Sequence, residues 1–248
     1  MGEAIVGTTS GRHVASAASI GPTELTERRT IGGYAGSIRS NIPSVATATF
    51  LRYAGLACLG GGLSWLVSGL AESAGCWALG TSSASYLWFA LFALSPLGGP
   101  LGLHAQRATG HGRLGQAGWV GLLAAQVGLL SYSVGALVGV LQPEREVVLV
   151  SRALGALLVG LGMVTAGTSV IVARRLTGWR AAAPILVGLY YVVMIPVQVM
   201  VFIIPTGRPS VFLLAGWGLP WMLLGAALLA SAPQAQSSAS VAVITEAA

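Results

Sequence analysis

Six long apolar stretches alternate with short polar gaps between Tyr53 and Ala232, and nearly all charged residues of this region lie in the gaps. A helix of about 20 apolar residues is about 30 Å long, which is the thickness of the hydrocarbon core of a bilayer. The pattern therefore predicts an all-α fold: a polytopic integral membrane helical bundle with six transmembrane helices. The predicted helices are 51–71, 85–104, 114–141, 147–173, 181–204 and 210–232.

The parts of the chain outside this pattern are expected to form tails. Residues 1–47 are rich in small and polar side chains and show no apolar periodicity, which is typical of a disordered segment. They contain no apolar run of the length that a secretory signal needs, so we expect them to remain as a cytoplasmic tail. Residues 48–232 form the transmembrane domain in this interpretation. Residues 233–248 are small and polar and predict a short C-terminal cytoplasmic tail.

Composition supports the membrane prediction by a separate route. Hydrophobic residues make up 54% of the chain and charged residues 8%, and the mean hydropathy is +0.78. A soluble domain carries about 25% charged residues. The basic residues are all arginine and the acidic residues all glutamate, a bias that is typical of a GC-rich bacterial genome. We expect the lipid bilayer as partner and no nucleic acid, while a homo-oligomer or a membrane protein partner stays open.

The distribution of arginines predicts the orientation in the membrane. If the amino terminus is cytoplasmic, ten arginines lie on that side and three on the other. Cytoplasmic loops carry the excess of basic residues, so both termini should be cytoplasmic in a bacterial inner membrane. The ten arginines on the predicted cytoplasmic side are Arg12, Arg28, Arg29, Arg39, Arg52, Arg107, Arg113, Arg174, Arg175 and Arg180.

Glycine and proline positions predict close helix packing and helix breaks. Glycines recur at helical spacing in the first, third and fourth predicted helices, where they allow helix backbones to approach each other in lipid. Pro96 in the second helix and Pro196 in the fifth each remove a backbone donor, so both helices should be interrupted. Such breaks are either simple kinks or parts of a transport site.

Some of these positions recur after 100 residues. Arg52, Gly55, Gly60 and Gly62 are followed by Arg152, Gly155, Gly160 and Gly162, and Pro96 is followed by Pro196. Two halves of three helices each would have opposite orientations in the membrane, as in many secondary transporters. However, an ungapped comparison of 50–134 with 150–234 gives ten identities in 85 positions, which is close to chance for this composition. The sequence leaves the two inverted three-helix halves open.

No motif predicts catalysis. The chain has no glycine-rich phosphate loop, and its three histidines are too dispersed to bind a metal ion or haem within the membrane. No nucleophile is found with a matching base. We therefore expect that the protein is not an enzyme and that it binds no cofactor and no metal.

The few polar residues within the predicted helices are candidates for an intramembrane polar site. Gln126 and Ser133 share one face of the third helix, and Tyr191 and Gln198 share one face of the fifth, beside Pro196. These four side chains either line a cavity or form hydrogen bonds between helices.

One charged residue is also predicted inside a helix. Arg152 lies about two turns inside the fourth helix, where it either snorkels to the surface or forms an ion pair with Glu72 at the end of the first. The seven tryptophans lie mostly near predicted helix ends, so we expect them to be interfacial anchors.

Three short segments resemble those of a set of small six-helix bacterial membrane proteins without an assigned activity. The resemblance covers the membrane part of the chain and implies its topology, but no functional residue. The segments are Gly99-Pro100-Leu101-Gly102-Leu103-His104-Ala105-Gln106, Gly112-Arg113-Leu114-Gly115 and Arg174-Arg175-Leu176-Thr177-Gly178-Trp179.

Two function classes remain for an integral membrane protein of this kind. A non-catalytic accessory, regulatory or scaffold subunit is favoured by the small-residue packing faces and by the lack of acidic residues in the middle of the helices. The alternative is a small carrier or channel for a neutral or lipophilic molecule, which the proline breaks and the repeated positions support.

Overall fold

The computed structural model describes residues 45–75, 83–141, 146–206 and 210–247, and all regular structure within these ranges is helical. The predicted all-α helical bundle is thereby confirmed. The predicted tail at 1–47 lies outside the described residues, apart from its last three positions, which already belong to the first helix.

Within the described residues six helices follow one another, and we number them in chain order. The second, fifth and sixth are each interrupted. The first helix is Val45–Ser73, the third is Gly112–Leu141 and the fourth is Glu146–Ala173. The second helix consists of Ser83–Leu94, a 3₁₀ turn at Ser95–Leu97 and Gly98–Ala105. The fifth consists of Trp179–Val197, a π-helical segment at Gln198–Ile203 and Ile204–Thr206, and the sixth consists of Val211–Gly216 and Gly218–Ala247.

The sixth helix is longer than the sequence pattern predicted. Its apolar stretch ends near Ala232, but the helix continues to Ala247. The residues after Ala232 are mainly alanine, serine and glutamine and include no glycine, so they can extend a helix that is already formed. Loss of apolar character was therefore a poor marker of the helix end. Pro233 is accommodated inside this helix.

Five of the helices are long and apolar enough to cross a membrane. They are Ala46–Ser73, Gly112–Leu141, Val150–Ala173, Trp179–Thr206 and Val211–Gln234. The predicted second span is different, because the 3₁₀ turn at Ser95–Leu97 divides it into two shorter helices. By length and composition, the protein is a candidate multi-pass membrane protein, with five candidate spans and a broken second helix among the described residues.

The third and fourth helices pack through a reciprocal set of glycines. Gly121 and Gly128 lie against the carbonyl oxygens of Gly162 and Gly155, and those glycines lie against Gly121 and Gly128 in return. A Cβ atom built on Gly155 would lie 2.6 Å from the carbonyl oxygen of Gly128. No residue larger than glycine fits this antiparallel contact without displacement of a helix.

The first and sixth helices repeat this arrangement. Gly55 lies against the carbonyl oxygen of Gly225, and Gly62 lies against that of Gly218, again with the reciprocal contacts. A Cβ atom built on Gly225 would lie 2.7 Å from the carbonyl oxygen of Gly55. In both helix pairs the contacting glycines are seven residues apart, which returns to the same helix face after two turns.

Candidate binding site at the centre of the bundle

Three aromatic rings from three different helices meet in the interior. Trp65 of the first helix lies 5.8 Å from Trp217 of the sixth and 6.1 Å from Tyr132 of the third, measured between ring centroids. Tyr132 and Trp217 are 6.3 Å apart, with their planes at 67°. These distances and tilted orientations are those of favourable edge-to-face pairs. The three rings form one face of an internal cavity.

Tyr191 of the fifth helix completes the aromatic wall. Its ring stacks on Trp217 at 4.8 Å with an angle of 24° between the planes. Every one of the six helices contributes to the cavity, which lies at their common centre. Its lining residues are Trp65, Ala93, Pro96, Leu129, Tyr132, Ala156, Val159, Tyr191 and Trp217.

The cavity is small in this conformation. The cavity volume, measured for the centre of a water-sized sphere, is ≈ 10 Å³. This volume is close to what a single buried water molecule requires. The walls are mostly apolar. The site as it stands therefore fits one small group with a hydrogen-bonding atom, and a larger molecule requires the helices to separate.

Hydrogen bonding distinguishes two indole groups beside the cavity. Trp221 Nε1 donates to the hydroxyl oxygen of Tyr191 at 3.2 Å. Trp217 is 7% exposed, and its Nε1 is buried without an acceptor among the described residues. A buried N–H without an acceptor costs free energy, so this donor is a natural contact for a bound molecule.

The break in the second helix lies at the cavity wall. Pro96 has no backbone N–H and therefore cannot bond to the carbonyl group of Phe92, one turn earlier. The first helix crosses this break at Gly61, where a Cβ atom would lie 2.7 Å from the Cβ of Ser95. A glycine in the first helix and a proline in the second thus bring Trp65 and Pro96 to the same cavity.

Of the four predicted polar-site residues, only Tyr191 lines this cavity. Gln198 instead binds the backbone of Ser210: its Nε2 donates to the carbonyl oxygen at 2.9 Å, and its Oε1 accepts from the N–H at 2.8 Å. Gln198 thereby links the π-helical segment of the fifth helix to the start of the sixth. Tyr190 adds a second link, because its hydroxyl donates to the Leu213 carbonyl oxygen at 2.7 Å.

The two candidates on the third helix do not reach the cavity either. Ser133 is buried, and its hydroxyl donates to the carbonyl oxygen of Leu129 in its own helix at 2.9 Å. Gln126 is half-buried. The structure thus separates the four residues, and whether any of them acts in a functional site stays a prediction.

Arg152 lies beside the aromatic cluster. Its guanidinium carbon is 5.7 Å from the centroid of the Tyr132 ring, which is within cation–π distance. Glu72 is half-buried two turns beyond Trp65 on the first helix, and Trp65 contacts the same tyrosine. Both charged residues therefore lie toward the same end of the bundle, but their predicted ion pair stays a prediction.

The prediction that the tryptophans are interfacial anchors is wrong for three of them. Trp65, Trp217 and Trp221 are 7%, 7% and 1% exposed and belong to the core. Trp119 and Trp179 are about half exposed, as anchors should be. Hydropathy alone cannot separate the two kinds, because a membrane protein needs apolar side chains both in its core and on its lipid-facing surface.

The described residues contain no group of three or more histidine, cysteine or acidic side chains that could hold a metal ion. The described part of the chain is thus a helical bundle with an aromatic centre and five candidate membrane spans. In comparisons with family models, curated proteins and solved structures, nothing matches this chain.

Proposed function

We propose that the protein is a small carrier for a compact, uncharged molecule, and that the aromatic cavity at the bundle centre is its binding site. The observation that carries the proposal is the buried Trp217 indole, which lines a cavity shared by the six described helices and whose Nε1 has no acceptor in the part of the chain that the structure describes. The cargo should offer a hydrogen-bond acceptor to this donor and an apolar surface to the rings.

The glycine contacts support two inverted three-helix halves. In such a repeat, the first helix corresponds to the fourth, and the third helix corresponds to the sixth. The contact between the first and sixth helices must therefore resemble the contact between the fourth and third helices. Both contacts consist of four reciprocal glycines at the same spacing. The matching pairs are Gly55 with Gly155, Gly62 with Gly162, Gly121 with Gly218 and Gly128 with Gly225.

Broken helices in equivalent places give the same support. The second helix has a 3₁₀ turn that includes Pro96, and the fifth has a π-helical segment that begins at Gln198, after Pro196 and Val197. The proline at the break of the second helix lines the cavity. In inverted-repeat carriers, the binding site lies near the middle of the membrane, where helices of this kind are discontinuous.

The preference for an accessory or scaffold subunit rested on small-residue packing faces and on the lack of acidic residues in the middle of the helices. In the structure, the glycines in question contact other helices of the same chain. Gly60 differs, because a Cβ atom built there has no heavy atom within 4 Å. The small-residue argument therefore no longer favours a scaffold over a carrier, and the central cavity favours the carrier.

Cysteine accessibility tests the carrier without knowledge of its cargo. Ala93→Cys and Ala156→Cys each place a thiol on the cavity wall, in a background with Cys58→Ala and Cys76→Ser. Alternating access exposes the cavity to each side in turn. We expect a membrane-impermeant methanethiosulfonate to label both positions in right-side-out and in inside-out vesicles.

Ala166→Cys is the matched control, because Ala166 is fully buried but does not line the cavity. It should stay unlabelled in both kinds of vesicle. If the two cavity positions are as unreactive as Ala166→Cys, the protein has no alternating access and is not a carrier.

A further inference from the structure

The loop between the second and third helices packs against the end of the fourth helix. A Cβ atom built on Gly110 would lie 2.8 Å from the Cβ of Ala173, and Ser169 Oγ donates to the carbonyl oxygen of Leu114 at 2.9 Å. The first contact holds loop 106–111 beside the segment that follows Ala173, and the second fixes the start of the third helix to the fourth. Two basic segments that are far apart in the sequence therefore share one surface.

Two open grooves lie on either side of this loop, with volumes of ≈ 340 Å³ and ≈ 260 Å³. The first groove is lined in part by His104, Arg107 and Trp119. The second is lined in part by Ser169 and Arg175. His111 lines both grooves, and none of the described residues that line them is acidic. The surface is therefore suited to an anion.

The backbone of the loop presents Arg107 in an unusual conformation. Its φ is 49°, in the left-handed region, and the N–H of Ala108 donates to the Leu103 carbonyl oxygen at 3.0 Å. Glycine is the usual residue at this position of a helix end. Arg174 follows the fourth helix with a similar φ of 52° but lines neither groove. A cation is favourable at both helix ends. Of these two left-handed arginines, only Arg107 lines a groove.

Apolar side chains continue from the grooves toward the middle of the bundle. Trp119 is 45% exposed, and its ring lies 6.3 Å from that of His104. Exposed tryptophans of this kind lie at the level of the lipid headgroups. Val120 and Val172 are 58% and 60% exposed on the adjoining faces of the third and fourth helices. A basic groove thus lies above a surface that acyl chains can cover.

We infer that these grooves bind the phosphate-bearing headgroup of an anionic phospholipid from the surrounding membrane. In the first groove, Arg107 and His111 contact the phosphate and an acyl chain lies along Trp119. In the second groove, Arg175 and His111 contact the phosphate and an acyl chain lies along Val172. A free phosphate ion would use the same basic groups but not the apolar surface. The inference is independent of the carrier, because the grooves lie at the end of the bundle and share no lining residue with the central cavity.

The test measures binding of dioleoylphosphatidylglycerol to the full chain in a neutral maltoside detergent, by native mass spectrometry. One arginine near a membrane surface contributes about 1 kcal/mol, or about fivefold in affinity. Arg107→Gln and Arg175→Gln should each weaken binding by about that factor, and dioleoylphosphatidylcholine should bind more weakly than the anionic lipid.

Two controls match these variants in charge. Arg174→Gln changes a left-handed arginine that lies outside the grooves, and Arg52→Gln changes an exposed arginine of the first helix. Both should leave affinity within about twofold of the unmodified protein. Equal losses in all four variants would show diffuse attraction to basic residues and overturn the site. Displacement of the lipid by an equimolar concentration of sodium phosphate, but not by sodium chloride of equal ionic strength, would show that the apolar surface adds no affinity and would overturn the lipid as the ligand.

Discussion

Gly128 of the third helix and Gly155 of the fourth approach so closely that a Cβ atom on either would lie 2.5 Å or 2.6 Å from the other's carbonyl oxygen. In lipid, where apolar side chains gain little by leaving their solvent, packing at such short distance is a main source of helix association. The contact also allows weak Cα–H···O interactions between the two backbones.

A Gly128→Ala substitution should therefore destabilise the bundle. The added methyl group meets backbone atoms rather than a flexible side chain, so a cost of about 1 to 3 kcal/mol in unfolding free energy is expected. Gly60→Ala is the control, since a Cβ atom there meets nothing within 4 Å. This control should be neutral or stabilising by up to about 1 kcal/mol. Thermal unfolding in detergent measures both, and equal stabilities would contradict the packing argument.

Gln198 should contribute to the junction between the fifth and sixth helices. Gln198→Leu removes both hydrogen bonds to the Ser210 backbone. Because one such bond between helices contributes about 0.6 kcal/mol in a membrane protein, a total loss of about 1 kcal/mol is expected. Gln126→Leu, at a half-buried position of the third helix, should cost less. A larger loss for Gln126→Leu would show that Gln126 has the more important polar contact.

The ends of several helices could be predicted from the sequence, but the residues that are buried in the interior of the bundle could not. The third and fourth helices end at Leu141 and Ala173, as predicted, because polar gaps follow their apolar stretches. Core and lipid-facing positions are both apolar, so burial of Trp65 and Trp217 left no signal in the hydropathy pattern. The central cavity could not be anticipated for the same reason.

The glycine pairs show why the repeat was difficult to recognise. Gly55 and Gly62 correspond to Gly155 and Gly162 at an offset of 100, but Gly121 and Gly128 correspond to Gly218 and Gly225 at an offset of 97. An ungapped comparison at a single offset aligns only one of the two sets. The three-dimensional contacts align both, since a change in loop length leaves helix packing intact.

The arginine distribution predicts that loop 106–111 is cytoplasmic and that Cys76 faces the opposite side. Cys58 is fully buried and should not react. A membrane-impermeant maleimide should therefore label the unmodified protein at Cys76 in intact cells. His111→Cys combined with Cys76→Ser should be labelled only after permeabilisation, because His111 is exposed in the loop that is predicted to be cytoplasmic. The reverse pattern would overturn the orientation.

Arg152 and Glu72 should stabilise each other, because an arginine this far inside a helix is costly unless it snorkels or has a charged partner. Tyr132 supplies part of its environment, at 5.7 Å from the guanidinium carbon. Arg152→Ala and Glu72→Ala should each lower the unfolding free energy in detergent. The double variant should cost less than the sum by at least about 0.5 kcal/mol.

A second cycle separates the ion pair from the aromatic contact. Arg152→Ala with Tyr132→Leu measures the cation–π coupling, for which about 0.5 to 2 kcal/mol is expected. If Arg152 couples to Tyr132 but is strictly additive with Glu72, the arginine is held by the aromatic cluster and the ion pair does not exist. If it couples to both, Arg152 connects the end of the first helix to the wall of the central cavity, and neutralisation of Glu72 should then also change the reactivity of a cysteine at Ala156.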